Sequence, residues 1–186
     1  MTELYVAAAT VGAALVSGFI SIVNLTLSKE HKISELRQEW IDMLRGDVAS
    51  FIAVSNNLVL QYQAELFNNN GTVEYWIFHQ KVSDNIKLMD ELHHRIKLRL
   101  NPTEHFQIIT ILDDIESSLG KIARLQDMEQ MNYLFKVLHD LSQQVFKENW
   151  ELVKRGESGF WRLKLFSVVL VVLSLIATTS YFSKLA

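Results

Sequence analysis

An all-α membrane protein is the fold class this sequence predicts: two transmembrane helices flanking a cytoplasmic antiparallel bundle of about four helices. Three observations predict it. Two uncharged, largely apolar runs lie at Leu4–Ser28 and Leu165–Ser183, and between them four stretches repeat apolar residues at three-four spacing. The third is that Lys and Arg gather on the inner flanks of both runs.

The two runs come first. As helices rising about 1.5 Å per residue, runs of 25 and 19 residues reach roughly 37 and 28 Å, enough to cross a hydrocarbon core of about 30 Å. The opening run reads as an uncleaved span rather than a signal peptide. Met1-Thr2-Glu3 lacks a positive n-region, and the apolar stretch is longer than an h-region. The domains expected are therefore residues 1–28, a first transmembrane helix; residues 29–164, a helical bundle; and residues 165–186, a second transmembrane helix with a short exterior tail.

Flanking charges orient the pair. Lys29, Lys32 and Arg37 follow the first run, Lys154, Arg155, Arg162 and Lys164 precede the second, and only Lys184 lies outside. Positive charge stays on the cytoplasmic side, so the middle segment is expected in the cytoplasm and both termini outside. Phe160 and Trp161 would mark one interface, and Tyr5, Tyr181 and Phe182 the other.

Within the middle segment, Ile33, Leu36, Trp40, Leu44, Val48, Phe51, Ser55, Leu58, Tyr62 and Leu66 form one helical face with no proline to interrupt it. This helix is expected to run straight out of the first span and to end at the turn signal Asn68-Asn69-Asn70-Gly71, with Gly46 its one weak point. A second helix carries Tyr75, Phe78, Val82, Ile86, Met89, Ile96 and Leu100, with His93 where the stripe expects an apolar group. It stops at Asn101-Pro102. There Asn101 is expected to cap a third helix, with Pro102 at its first position and Glu104 completing a capping-box-like start.

The third helix carries Phe106, Ile109, Leu112, Ile115, Leu119, Ile122 and Leu125. The fourth carries Met131, Leu134, Phe135, Leu138, Leu141, Val145 and Leu152. Four helices give an even number of passes, which returns the chain to the membrane where the second run begins.

Chemistry is mostly excluded by what the chain lacks. It has no cysteine, hence no disulfide, thiolate metal site or cysteine nucleophile. There is no Walker loop and no Gly-rich dinucleotide loop, and Gly156-Glu157-Ser158-Gly159-Phe160 fails the nucleophile-elbow pattern at its last position. The expectation is a protein that is not an enzyme and binds no cofactor. Glu91-Leu92-His93-His94 contains the Glu-x-x-His spacing of di-iron bundles, but a second copy is missing, so the two imidazoles are read as a polar flank at the bundle surface.

Charge is uneven. The middle segment holds 17 of the 18 Lys and Arg residues and 20 of the 21 Asp and Glu residues. Arg95, Lys97 and Arg99 end the second helix and are expected to join Lys29, Lys32, Arg37, Lys154, Arg155, Arg162 and Lys164 in a juxtamembrane basic collar for anionic lipid. A plainly solvated face and a nucleic-acid surface are the alternatives, the latter weakened because no aromatic platforms interleave with the cations. Asp113, Asp114, Glu116, Asp127 and Glu129 gather on the third helix and the turn after it.

The spans offer a packing face. Ala9, Ala13, Ser17 and Ser21 recur every four residues with Ala14 and Gly18 beside them, while Ser174 and Thr178 add hydrogen-bonding groups in the second run. Small residues let helices approach closely, either span against span or subunit against subunit in a homo-oligomer. With no charge in either run, a proton relay or selective ion path is disfavoured. Asn24-Leu25-Thr26 and Asn70-Gly71-Thr72 match the glycosylation pattern, but one lies in the membrane and the other on the cytoplasmic side.

The segment Ile33-Ser34-Glu35-Leu36-Arg37-Gln38-Glu39-Trp40-Ile41-Asp42-Met43-Leu44-Arg45 resembles the stretch after the first span in small bacterial and prophage proteins with two transmembrane helices. Among them the chain is similar to the two-transmembrane effectors of bacterial antiphage retron systems in size, hairpin topology and helical middle domain. The resemblance implies a toxin-like effector of abortive infection in the bacterial inner membrane. Such an effector disrupts membrane integrity once released from a restraining reverse transcriptase with its RNA-linked DNA. The competing class is a membrane-anchored helical adaptor or scaffold without activity of its own.

Overall fold

The computed structural model describes residues 2–155 and three short helical pieces at 165–166, 168–169 and 172–173. Among the described residues the chain is all-helical. Six helices run in order: α1, Thr2–Asn68; α2, Tyr75–Lys81; α3, Ser83–Arg99; α4, Phe106–Leu119; α5, Ile122–Leu125; and α6, Met128–Arg155. Two compact units divide the chain: one of Met1–Gln38 and Glu151–Ala186, the other of Glu39–Trp150.

In the first unit, α1 supplies the one helix among the described residues that is long and apolar enough to cross a membrane, and none of its apolar window is buried. Three of its hydroxyls bond back to the helix itself. Thr10, Ser21 and Thr26 donate to the carbonyls of Val6, Ser17 and Ile22, four residues back, so each of these donors is satisfied without water. The expected second span, Leu165–Ser183, lies largely outside the described residues. So do Arg162, Lys164, Ser174 and Thr178, and the side chains of Ala9 and Arg155.

The second unit is a helical bundle with its own core. Along α1, Leu44, Val48, Phe51, Leu58 and Tyr62 are buried as the three-four spacing predicts. No proline breaks the helix, and at Gly46 an added Cβ would meet open space, so this glycine answers to no close approach. The end of α1 is set by Asn70 and Gly71, both in the left-handed region at φ +54° and +86°. The Gly71 N–H reaches the Leu66 carbonyl at 2.8 Å, the six-to-one bond of a Schellman cap.

Two predicted helices are subdivided. The second run breaks at Val82, whose ψ of 13° is not helical, although its N–H still bonds to the Phe78 carbonyl. The third run breaks at Gly120, and Lys121 is extended before the single turn of α5 begins.

The start of the third run also differs. Asn101 Oδ1 accepts the Thr103 N–H at 3.0 Å, so Asn101 caps a turn at 102–104, while α4 begins at Phe106 with His105 at its N-cap. At that end Phe106 is 59% exposed and Ile108 is buried instead, while Leu112 and Ile115 keep the core positions that the spacing predicts. In α6, Met131, Leu134, Phe135, Leu138 and Val145 are buried as predicted, Phe146 joins them, and Leu152 is exposed.

One core residue is polar without a partner. Ser55 is fully buried on the α1 stripe, and its hydroxyl makes no hydrogen bond. Removing that oxygen should relieve an uncompensated desolvation, so Ser55→Ala is expected to raise stability by about 1 kcal/mol. Urea unfolding followed by circular dichroism checks it; a loss of stability would mean the hydroxyl has a partner in solution.

Candidate functional site

Three helices of the bundle unit hold a polar layer. Asp47 sits on α1 three residues after Leu44 and four before Phe51, on the core side of the helix, and is only 8% exposed. Two arginines from α3 meet it. Arg95 Nη1 donates to Asp47 Oδ1 at 3.1 Å, and Arg99 Nε donates to Oδ2 at 2.7 Å. Arg95 also pairs with Glu91 one turn earlier, and its hydrogen bonds to Asp47 and Glu91 raise its pKa above the ordinary guanidinium value. Trp40 Nε1–H donates to the Arg99 carbonyl at 3.1 Å, satisfying one of the carbonyls left open at the end of α3.

Beside it lies a second polar group. His93 is buried, 6% exposed, with its ring 6.3 Å from that of Phe51, and its Nε2–H donates to Asp113 Oδ1 at 2.8 Å. Lys97 Nζ donates to both Asp113 oxygens, at 2.8 and 3.1 Å. His93 is thus a core residue rather than the surface imidazole expected from sequence. The stripe position decides: it lies between Met89 and Ile96, and Asp113 satisfies its polar edge where only an apolar group seemed suitable. His94 is the exposed neighbour.

Burial raises the Asp113 pKa, but the hydrogen bonds from Lys97 and His93 outweigh it and leave the carboxyl below its ordinary value. A depressed carboxylate stabilises the fold fully above its unfolded pKa of about 3.9, and that contribution is lost as pH falls through the lower folded value. Asp113→Asn is therefore expected to flatten the stability profile below about pH 4, read as the urea midpoint against pH. An unchanged acid limb would show that the pairing does not hold the carboxyl down.

The expected basic collar divides between the two units. Arg95, Lys97 and Arg99 belong to the bundle unit, where each is bonded to a carboxylate. In the other unit Lys29 is exposed, Lys32 pairs with Glu35 at 2.9 Å, Arg37 is half-buried, and Lys154 pairs with Glu151 at 3.2 Å. On the span, Ala13, Ala14, Ser17, Gly18 and Ser21 are all exposed, and at Gly18 an added Cβ would meet nothing within 4 Å. Among the described residues, no three His, Asp or Glu side chains converge as metal ligands; His94 is exposed and Glu91 is engaged by Arg95.

A cavity of about 180 Å³ opens elsewhere in the bundle unit, lined by residues from α1 to α5 and the turns at Val82 and Gly120. Tyr62 and Phe78 form its aromatic wall, edge to face with centroids 5.4 Å apart. His79, Asp90 and Glu116 supply its ionisable groups. In the sequence Asp113 and Glu116 stand out only as members of an acidic run, and Asp47 does not stand out at all. The usable signal for Asp47 was an acid on the core side of an apolar stripe, a position that demands a cationic partner.

No family model, curated protein or solved structure matches this chain.

Proposed function

We propose that this chain is a toxin-like effector of a bacterial antiphage system. In this reading it is an inner-membrane hairpin, with the second span at Leu165–Ser183, both termini outside and an antiparallel bundle in the cytoplasm. Release of the bundle from a restraining partner, a reverse transcriptase with its RNA-linked DNA in the resemblance, lets the spans disrupt the membrane. The observation that carries the reading is the wholly exposed apolar stretch of α1, which water would not solvate.

The exposed face of Ala13, Ala14, Ser17, Gly18 and Ser21 supports action through helix association. Without a hydrophobic force between helices in lipid, close backbone approach over small residues is what drives it. Lys29, Lys32 and Arg37, just beyond the first span, support the cytoplasmic placement of the bundle.

Expression of the chain alone is expected to depolarise cells and arrest growth, and Gly18→Leu to abolish both while inserting normally. Normal growth and membrane potential with confirmed insertion would overturn the effector reading. That result would favour the second one, a membrane-anchored helical adaptor or scaffold without activity of its own, which the self-contained core of the bundle unit supports.

A further inference from the structure

We propose that the bundle cavity is a binding site for a small organic cation, an ammonium ion carrying a benzene-sized apolar group. The cavity is large enough for that group and little more. An apolar protein cavity of about 150 Å³ holds one benzene molecule, so the 180 Å³ here accommodates the ring and one or two further carbons. Its depth is apolar, walled by Leu58, Tyr62, Phe78 and Met89.

The charge preference comes from the remaining lining. Asp90 of α3 and Glu116 of α4 both border the cavity, and both are exposed residues. Among the described residues neither carboxylate has a cationic partner; of the lysines around the cavity, Lys81 is held by Glu65 at 2.7 Å and Lys87 by Asp84 at 3.5 Å, while Lys121 next to Gly120 is exposed and pairs with neither. Two unneutralised carboxylates from different helices therefore favour positive charge.

An aromatic cluster completes the set. Tyr75 and His79 line the cavity, and Trp76 touches both, with ring centroids 5.3 Å from Tyr75 and 6.3 Å from His79. Trp76 is 74% exposed, an aromatic surface that the bundle itself does not cover. Ring faces attract ammonium ions, and aromatic residues combined with carboxylates are the usual means of holding one. The chemistry disfavours anions and gives a neutral ligand only the apolar part of the interaction.

The test is calorimetric titration of the full chain in a non-ionic detergent with three matched probes: 2-phenylethylammonium, 2-phenylethanol and 3-phenylpropionate. The ammonium ion is expected to bind about tenfold more tightly than the alcohol, and the carboxylate weakest of all. The double variant Asp90→Asn, Glu116→Gln should lose that tenfold preference yet keep the alcohol's affinity and the circular dichroism spectrum. The proposal is overturned if the alcohol binds as tightly as the ammonium ion, if the double variant keeps the preference, or if the ammonium ion does not bind at millimolar concentration.

Discussion

Phe51→Ala is expected to destabilise the bundle by about 4 kcal/mol, the largest single effect we predict. Phe51 is fully buried, at the middle of the α1 stripe, with Val48 and Leu58 buried along the same face. Truncation removes the transfer free energy of the ring and leaves a cavity that the helices cannot close without moving their backbones. Against a typical total stability of roughly 5–15 kcal/mol, a loss of this size leaves little margin.

The same change should reach the polar layer, because the Phe51 ring lies 6.3 Å from that of His93. Water entering the gap would hydrate an imidazole that is now 6% exposed and weaken its bond to Asp113. Urea unfolding by circular dichroism reads the first effect, and the pH dependence of the midpoint reads the second. A loss below about 1.5 kcal/mol would show that Phe51 is not a core residue in solution.

How much of this was legible in the sequence depends on where each partner sits. The α1 stripe was readable because the helical period runs unbroken over many turns, and period alone decides which face is buried. The break at Val82 was masked because Val82 itself continues the apolar stripe, although Ser83-Asp84-Asn85 directly after it is a helix-start signal, with Asp84 in the first turn of α3. The start of α4 was misplaced for a local reason. An Asn before a Pro caps a turn as readily as a helix, and the difference of a few residues put Phe106 rather than Ile108 on the predicted core face.

The candidate sites were the least legible part. Arg95 and Arg99 were visible as charges, but their partner Asp47 is 48 and 52 residues away in sequence. The cavity likewise brings Leu58 together with Glu116, a pairing that no local pattern encodes. Local signals report faces and ends of helices; which faces meet is decided by packing.

Asp47→Ala separates a structural ion pair from an idle one. The Asp47 carboxylate is 8% exposed and receives Arg99 Nε at 2.7 Å and Arg95 Nη1 at 3.1 Å, so its removal leaves two guanidinium groups facing an apolar helix surface. Breaking a fully buried pair costs about 3–5 kcal/mol. Because the Arg99 side chain is 25% exposed and water can partly replace the carboxylate, about 2 kcal/mol is expected here. Asp47→Asn should cost less, since an amide oxygen still accepts one N–H.

The decisive measurement is a double-mutant cycle with Arg99→Ala. That substitution keeps the backbone carbonyl that accepts the Trp40 indole N–H at 3.1 Å, so the end of α3 stays pinned while the charge is removed. A coupling of about 1 kcal/mol is expected, because Asp47→Ala strands the Arg99 charge and the double variant does not, while Arg99→Ala alone leaves the carboxylate still paired with Arg95 at 3.1 Å. Additivity within about 0.3 kcal/mol would mean that the two groups are neighbours without being energetic partners.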